Sequence, residues 1–254
     1  MSKAFHERVR GFDTLLGTFV KTPSPQLIEA LAGTPLDCLC LDAEHGAFGR
    51  TELDTCLLTA RALAKPTIVR PAMNAPHYFL QALDGGADAL LVPHVRSAAE
   101  AAAAAKAARF GPGGRGFAGN TRSAQLGARP LAEHYAKARA ETIVIAQIED
   151  AEAMGDLDAI AATDGIDALF VGRIDLTVSM GLLDPKDPAV LDAVAAICRA
   201  GRKAGKAVGM FTHELAELPR WRDEGATIFL LGSDLGFLQQ GAKRLAEDVA
   251  GRLA

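Results

Sequence analysis

Eight segments of the chain carry short, nearly continuous apolar runs: residues 15–20, 38–44, 67–71, 89–95, 142–149, 168–175, 206–213 and 227–234. Runs of this length, rich in β-branched residues and without strict polar alternation, predict strands buried on both faces. Each gap between them is long enough for a crossover helix, which parallel neighbours require. Several gaps also carry helix signals. Ser97-Ala98-Ala99-Glu100 is a capping-box pattern opening an alanine-rich helix that runs to Phe110. Asn74-Ala75-Pro76 starts another, which Gly85-Gly86 ends. A third spans residues 188–203 and stops by Gly205, and residues 237–253 supply the last.

Eight βα units with no break in composition predict a single (β/α)8 barrel over residues 1–254. Such barrels have about this length, roughly 250 residues. A doubly wound open sheet is the competing arrangement, because strand number alone does not prove closure. Residues 111–127 are too many for an idle connection. Arg115 and Arg122 in that stretch are candidates for anion binding, with a solvated loop or a subunit contact as alternatives.

Composition narrows the partners. Lys+Arg 27 against Asp+Glu 31 gives a net charge of -4, which suits neither nucleic acid nor an anionic membrane. The N-terminus lacks an apolar signal core, and no stretch of about 18 apolar residues occurs. The four cysteines, Cys38, Cys40, Cys56 and Cys198, form no C-x-x-C pair, so zinc or a disulfide framework is not expected. A reducing cytoplasm is the expected location.

In barrels, chemistry gathers where strands meet their following loops. Here those ends read Asp42-Ala43-Glu44-His45, Val69-Arg70-Pro71, Gln147-Ile148-Glu149-Asp150 and Gly172-Arg173-Ile174-Asp175, with His213 and Asp234 ending the last two strands. A carboxylate at the exit of a buried strand is costly unless something charged receives it. Side chains two apart share a strand face, so Gln147 and Glu149 point the same way. If Glu149 and Asp175 converge, they make a hard, oxygen-rich site suited to Mg²⁺ or Mn²⁺. Such a cation chelates a 2-oxo acid and lowers the barrier to its enolate. Alternatively the two carboxylates simply pair with Arg70. Arg70 could stabilise an oxyanion, His45 could move a proton near neutrality, and Asp42 could orient its ring. Gly172 would let backbone approach a substrate carboxylate. His213 and Asp234 read as structural. Lys65 precedes the third strand and no strand-borne lysine faces the centre, which disfavours a Schiff-base mechanism.

Leu41-Asp42-Ala43-Glu44-His45, Ile68-Val69-Arg70-Pro71, Leu90-Leu91-Val92-Pro93, Arg115-Gly116, Gln147-Ile148-Glu149 and Val171-Gly172-x-x-Asp175-Leu176, in this order, resemble the metal-dependent pyruvate aldolases. More specifically they resemble the HpcH/HpaI type, the 4-hydroxy-2-oxoheptanedioate and 2-dehydro-3-deoxyglucarate aldolases. The resemblance implies a barrel whose last helix is exchanged between subunits, usually within a hexamer (a trimer of dimers). It also implies a divalent metal (Mg²⁺, Mn²⁺ or Co²⁺) and reversible cleavage to pyruvate or a related 2-oxo acid, such as hydroxypyruvate, plus an aldehyde. By the same resemblance His45 is the base, Arg70 the enolate stabiliser, and Glu149 and Asp175 the metal ligands. Gln147 and the backbone at Ile174 contact substrate. Asp84 matches an acid that supports the active histidine. Yet it ends a helix on the opposite barrel face, so it serves a histidine only across a subunit boundary or is a plain helix-end acid. Arg173-Ile174 replaces the small residues many members have between that Gly and Asp, which bears on the choice of acceptor. The alternatives are a malyl-type CoA-thioester lyase and a non-catalytic 2-oxo acid binder.

Overall fold

Eight parallel strands close on themselves in chain order, with β1 paired to both β2 and β8. Closure settles the fold as a (β/α)8 barrel and removes the open-sheet alternative. The structure is a computed structural model that describes residues 3–212 and 214–253; His213 lies outside them. The strands are β1 (Leu15–Val20), β2 (Cys38–Asp42), β3 (Thr67–Arg70), β4 (Ala89–Val92), β5 (Ile143–Ile148), β6 (Ala168–Val171), β7 (Ala207–Met210) and β8 (Ala226–Ser233). The helices are α1 (Phe5–Arg10), α2 (Pro25–Ala32), α3 (Arg50–Ala62), α4 (Pro76–Gly85), α5 (Ala98–Ala107), α6 (Leu131–Glu141), α7 (Leu157–Ala162), α8 (Arg173–Ser179), α9 (Pro188–Lys203), α10 (Leu218–Glu224) and α11 (Asp234–Leu253).

The local signals act as read, with small differences. Gly86 takes φ 100°, the left-handed cap that ends α4. Ser97 caps α5 by accepting from Glu100 N–H at 3.2 Å, but the Glu100 carboxylate turns to Arg96 N–H (2.8 Å) instead of closing the box. That helix stops at Ala107, short of Phe110. Four strands end two or more residues before their apolar runs do: β2 at Asp42, β4 at Val92, β6 at Val171 and β7 at Met210. Apolar content marks burial, whereas ladder pairing ends where the chain turns away.

Alternation along the strands separates two layers of core. Cys38, Cys40, Ile68, Ile143, Ile145 and Phe170 fill the barrel interior. Leu39, Leu41, Val69, Val144 and Leu169 instead pack outward against the helices. Phe5 and Val9 of α1 join the interior cluster among the first residues of the strands and close that end. The inward rows continue past the apolar layers as Asp42, Arg70, Gln147 and Glu149. The other mouth of the barrel is therefore polar where the inward rows of β2, β3 and β5 run on as charged and amide side chains.

Among the described residues, no helix is long and apolar enough to cross a membrane.

Candidate active site

Asp42 and Arg70 are direct neighbours in the β2–β3 register. The Arg70 guanidinium donates to both Asp42 oxygens, Nε at 2.9 Å and Nη2 at 2.8 Å, with Asp42 fully buried. This fork geometry is the strongest form of the Arg–carboxylate pair. Burial would raise the Asp42 carboxyl, but the Arg70 bonds and charge outweigh it and hold it below the usual range. Arg70 Nη1 faces Glu44 at 3.2 Å, and its guanidinium carbon lies 5.0 Å from the centre of the Phe19 ring. Asp42 thus positions Arg70. Toward His45 it accepts only the backbone N–H, at 3.2 Å, so the expectation that it orients the imidazole is corrected. The His45 side chain is exposed at the mouth. Lys21, one residue beyond β1, also reaches Asp42, at 3.8 Å.

Glu149 is 2% exposed at the end of β5. Gln147 Nε2 donates to its Oε2, as expected of residues on one strand face, and His94 N–H donates to its Oε1 at 2.8 Å. Burial pushes the Glu149 carboxyl up to about 7, opposed by His94 and reinforced by the charges of Glu44 and Asp175. Burial likewise raises Glu44, against the pull of Arg70. Gln147 Oε1 is buried without a hydrogen-bond partner.

Asp175 does not stand at a strand end. The chain turns at Gly172 into α8, and Asp175 lies exposed in its first turn. Glu149 is instead grouped with Glu44 and His94, whose donor atoms all lie within 4.8 Å of one another. Asp175 acts on this group through its charge. A buried carboxylate pushed toward neutrality, beside further acids and an unpartnered amide oxygen, fits a divalent cation. The donors are carboxylate oxygens with one imidazole.

Gly172 must remain glycine for reasons of space. A Cβ there would fall 2.6 Å from Glu149 Cβ, 2.8 Å from its Oε2 and 3.0 Å from Gln147 Nε2. Gly172→Ala is therefore expected to displace Glu149 and lower kcat by about 10²-fold, since ångström-scale misplacement costs that much. The variant's unchanged circular dichroism would show that only the site moved. Wild-type kcat would remove the close-approach role.

Arg173 turns away from the mouth. It is buried, donating to Pro185 O at 2.7 Å and Glu217 at 2.6 Å, so it brings no cation to the site. Ile174 is half exposed beside Asp175. Asp234 accepts the Lys21 and Thr22 N–H groups at 2.9 Å each, the structural role expected. Asp84 lies at the far end of the barrel from Arg70, paired with Arg115 at 2.5 Å. Among the described residues of the protomer it meets no histidine side chain by hydrogen bond. Arg122 is held by Asp54 at 2.6 Å. The loop of residues 111–127 is thus pinned, and its arginines offer no basic surface at the mouth.

Two site residues escaped sequence reasoning. Glu44 continues the inward row of Cys40 and Asp42, so its parity was a usable signal. His94 had none: it takes φ 53°, uncommon for a non-glycine residue, and this turn swings its ring between Glu44 (3.5 Å) and Asp150 (3.0 Å). Burial would lower the His94 ring, but the surrounding carboxylates, Asp150 first, raise it.

The family model described as HpcH/HpaI aldolase/citrate lyase matches residues 15–240. The chain belongs to this family. It is 33% identical to a hydroxypyruvate/pyruvate aldolase of Paraburkholderia phytofirmans (strain DSM 17436 / LMG 22146 / PsJN), over 95% of each chain. It is equally identical to a 4-hydroxy-2-oxo-heptane-1,7-dioate aldolase of Salmonella arizonae, covering 97% of this chain and 94% of the relative. A solved HpcH/HpaI aldolase/citrate lyase family protein from Burkholderia cenocepacia J2315 superposes with a TM-score of 0.91 at 32% identity, over 98% of this chain and 100% of that one. The protein is accordingly an aldolase, a carbon–carbon lyase, as the resemblance implied.

Proposed function

We propose that the protein is a divalent-metal-dependent aldolase that reversibly cleaves 4-hydroxy-2-oxo acids to pyruvate or hydroxypyruvate plus an aldehyde. The observation that carries this reading is the shared mouth. A guanidinium locked by Asp42 and a carboxylate raised to about 7 open onto one polar end of the barrel. Glu149 and Asp175 would hold the cation (Mg²⁺, Mn²⁺ or Co²⁺), with Glu44 and His94 grouped beside Glu149. When bound, the cation supplies a Lewis acid for the ketone of the 2-oxo acid. Arg70 holds the negative charge that develops on that oxygen, and its lock on Asp42 removes reorganisation at the moment of reaction. His45, free at the mouth, takes the proton of the 4-hydroxyl in cleavage and returns one in synthesis. Gln147 Oε1, lacking a protein partner, is available to a substrate hydroxyl. The backbone N–H of Ile174, in the first turn of α8, would receive the substrate carboxylate, with Gly172 leaving room for it.

The test is pyruvate release from a 4-hydroxy-2-oxo acid, coupled to lactate dehydrogenase, before and after exhaustive chelation. Activity should vanish with EDTA and return with added metal; untouched activity would refute the metal role. His45→Ala should cut kcat by about 10²-fold or more, whereas near-wild-type turnover would exclude it as the base. The CoA-thioester alternative loses its support, because the basic loop it needed is pinned away from the mouth.

A homo-hexamer with exchanged last helices is part of the same reading. Leu235, Phe237, Leu238, Leu245 and Val249 of α11 are exposed, an apolar face that the protomer leaves bare. Sedimentation should give a mass six times 26.6 kDa; a monomer at micromolar concentration would contradict it. In such an assembly Asp84 supports a histidine across the subunit boundary.

A further inference from the structure

A cavity lies at the opposite end of the barrel from Glu149. Its volume is about 340 Å³, and Thr67, Asp88 and Thr142, at the starts of their strands, line it. Five Lys or Arg side chains face it against two carboxylates, Asp88 and Glu141. Asp88 is already committed, accepting the Thr67 N–H at 2.8 Å. Lys137 occupies Glu141. Arg61 and Lys65 find only carbonyl oxygens, Arg61 that of Arg122 at 2.7 Å and Lys65 those of Thr34 and Leu36 at 3.1 and 2.5 Å. Carbonyls satisfy hydrogen bonds but cancel no charge, so the cavity keeps an excess of positive charge.

Its walls also hold donors without partners. Arg115 is 6% exposed and spends one nitrogen on Asp84, while its Nε has no partner. His134 is 2% exposed, and neither ring nitrogen is hydrogen-bonded. Burial, then the charges of Arg115 and Arg129, lowers the His134 ring's proton affinity, so it stands as a neutral imidazole with one donor. Phe110 and Phe117 pack on that ring at 5.2 and 5.5 Å between centroids and fix its orientation. Arg129 Nε lies 3.3 Å from Glu133 without hydrogen-bond geometry. Buried native donors are almost always satisfied, and several left open around one cationic cavity need a common acceptor. Water could serve one of them, but it would leave the excess charge.

We propose that this cavity is a binding site for a small dianion, a phosphate or a dicarboxylate, held by Arg115, Arg129 and His134 and distinct from the aldolase mouth of the same protomer. The sequence had offered Arg115 as an anion ligand; the cavity supplies the companions it needed. Guanidinium forks suit either oxyanion.

Titration calorimetry of the full chain in EDTA, at fixed ionic strength in chloride, tests this with orthophosphate and with succinate. Saturable binding of at least one is expected, and the tighter of the two names the source. His134→Phe keeps the aromatic packing and removes the ring nitrogens, while Arg129→Gln removes a charge. Each should weaken the binding at least tenfold and leave aldol cleavage unchanged. Arg70→Lys, at the other mouth, should leave anion binding intact. No saturable binding of either anion, binding undiminished in both cavity variants, or binding lost with Arg70 alone would overturn the proposal.

Discussion

Glu149→Gln is expected to weaken divalent-cation binding by ~10²-fold or more and to abolish aldol cleavage with it. The substitution keeps the shape of the side chain and its ability to accept from His94 N–H. It removes the charge that the cation is proposed to answer, and it turns the oxygen facing Gln147 into an amide donor, which Gln147 can meet by flipping its own amide to present Oε1. The same charge is a burden without a cation, because burial has raised the carboxyl from 4.5 to about 7. A raised acid binds its proton more readily folded than unfolded. Its contribution is therefore most favourable below about pH 4.5 and declines as pH rises through 7. Over that window the cost is about 3 kcal/mol. In EDTA at pH 8 the Gln variant should consequently be more heat-stable than the wild type, although it binds metal worse. Metal affinity of the wild type should also fall on acidification from pH 8 to 5.5, as the proton competes for the carboxylate. Calorimetric metal titration and thermal melts check both signs. Unchanged metal affinity with lowered stability would mean that Glu149 is a structural acid.

Arg70→Lys carries the second large effect. The lysine keeps a positive charge but cannot form the two parallel bonds at 2.9 and 2.8 Å to a fully buried Asp42. Nor can it present a rigid donor toward the substrate oxygen. Loss of one such donor costs about 10²–10³ in kcat, and KM should move far less, because the interaction strengthens only as charge develops. Asp42 and Glu44 lose their shared partner too, so stability should drop by about 2–4 kcal/mol. Steady-state kinetics with pyruvate detection, beside a denaturant melt, reads both. A kcat within threefold of wild type would place the oxyanion elsewhere.

How far the sequence reached follows from its physics. Strands were legible because burial on both faces leaves apolar runs, and alternation alone put Gln147 beside Glu149. The same apolar runs overran the strand ends, since a residue is buried by the barrel's mouth whether or not it pairs. Asp175 was therefore placed on a strand, although Gly172 turns it into α8. His94 was invisible because its φ of 53° breaks the parity on which the reading relied. Asp42 was assigned to the nearer histidine in sequence, yet the β2–β3 register gives it to Arg70. Pairing across strands is set by register, which a single sequence does not display.

The central claim is that Arg70 and the Glu149 site together stabilise an enolate of pyruvate. Its most direct measurement is proton NMR of pyruvate in D₂O with the protein and no aldehyde present. With Mn²⁺ or Co²⁺ supplied in catalytic amount, or Mg²⁺ in excess, the methyl signal should decay by exchange in the wild type. It should persist in EDTA and in Glu149→Gln. Exchange that continues at the same rate in both would contradict the account.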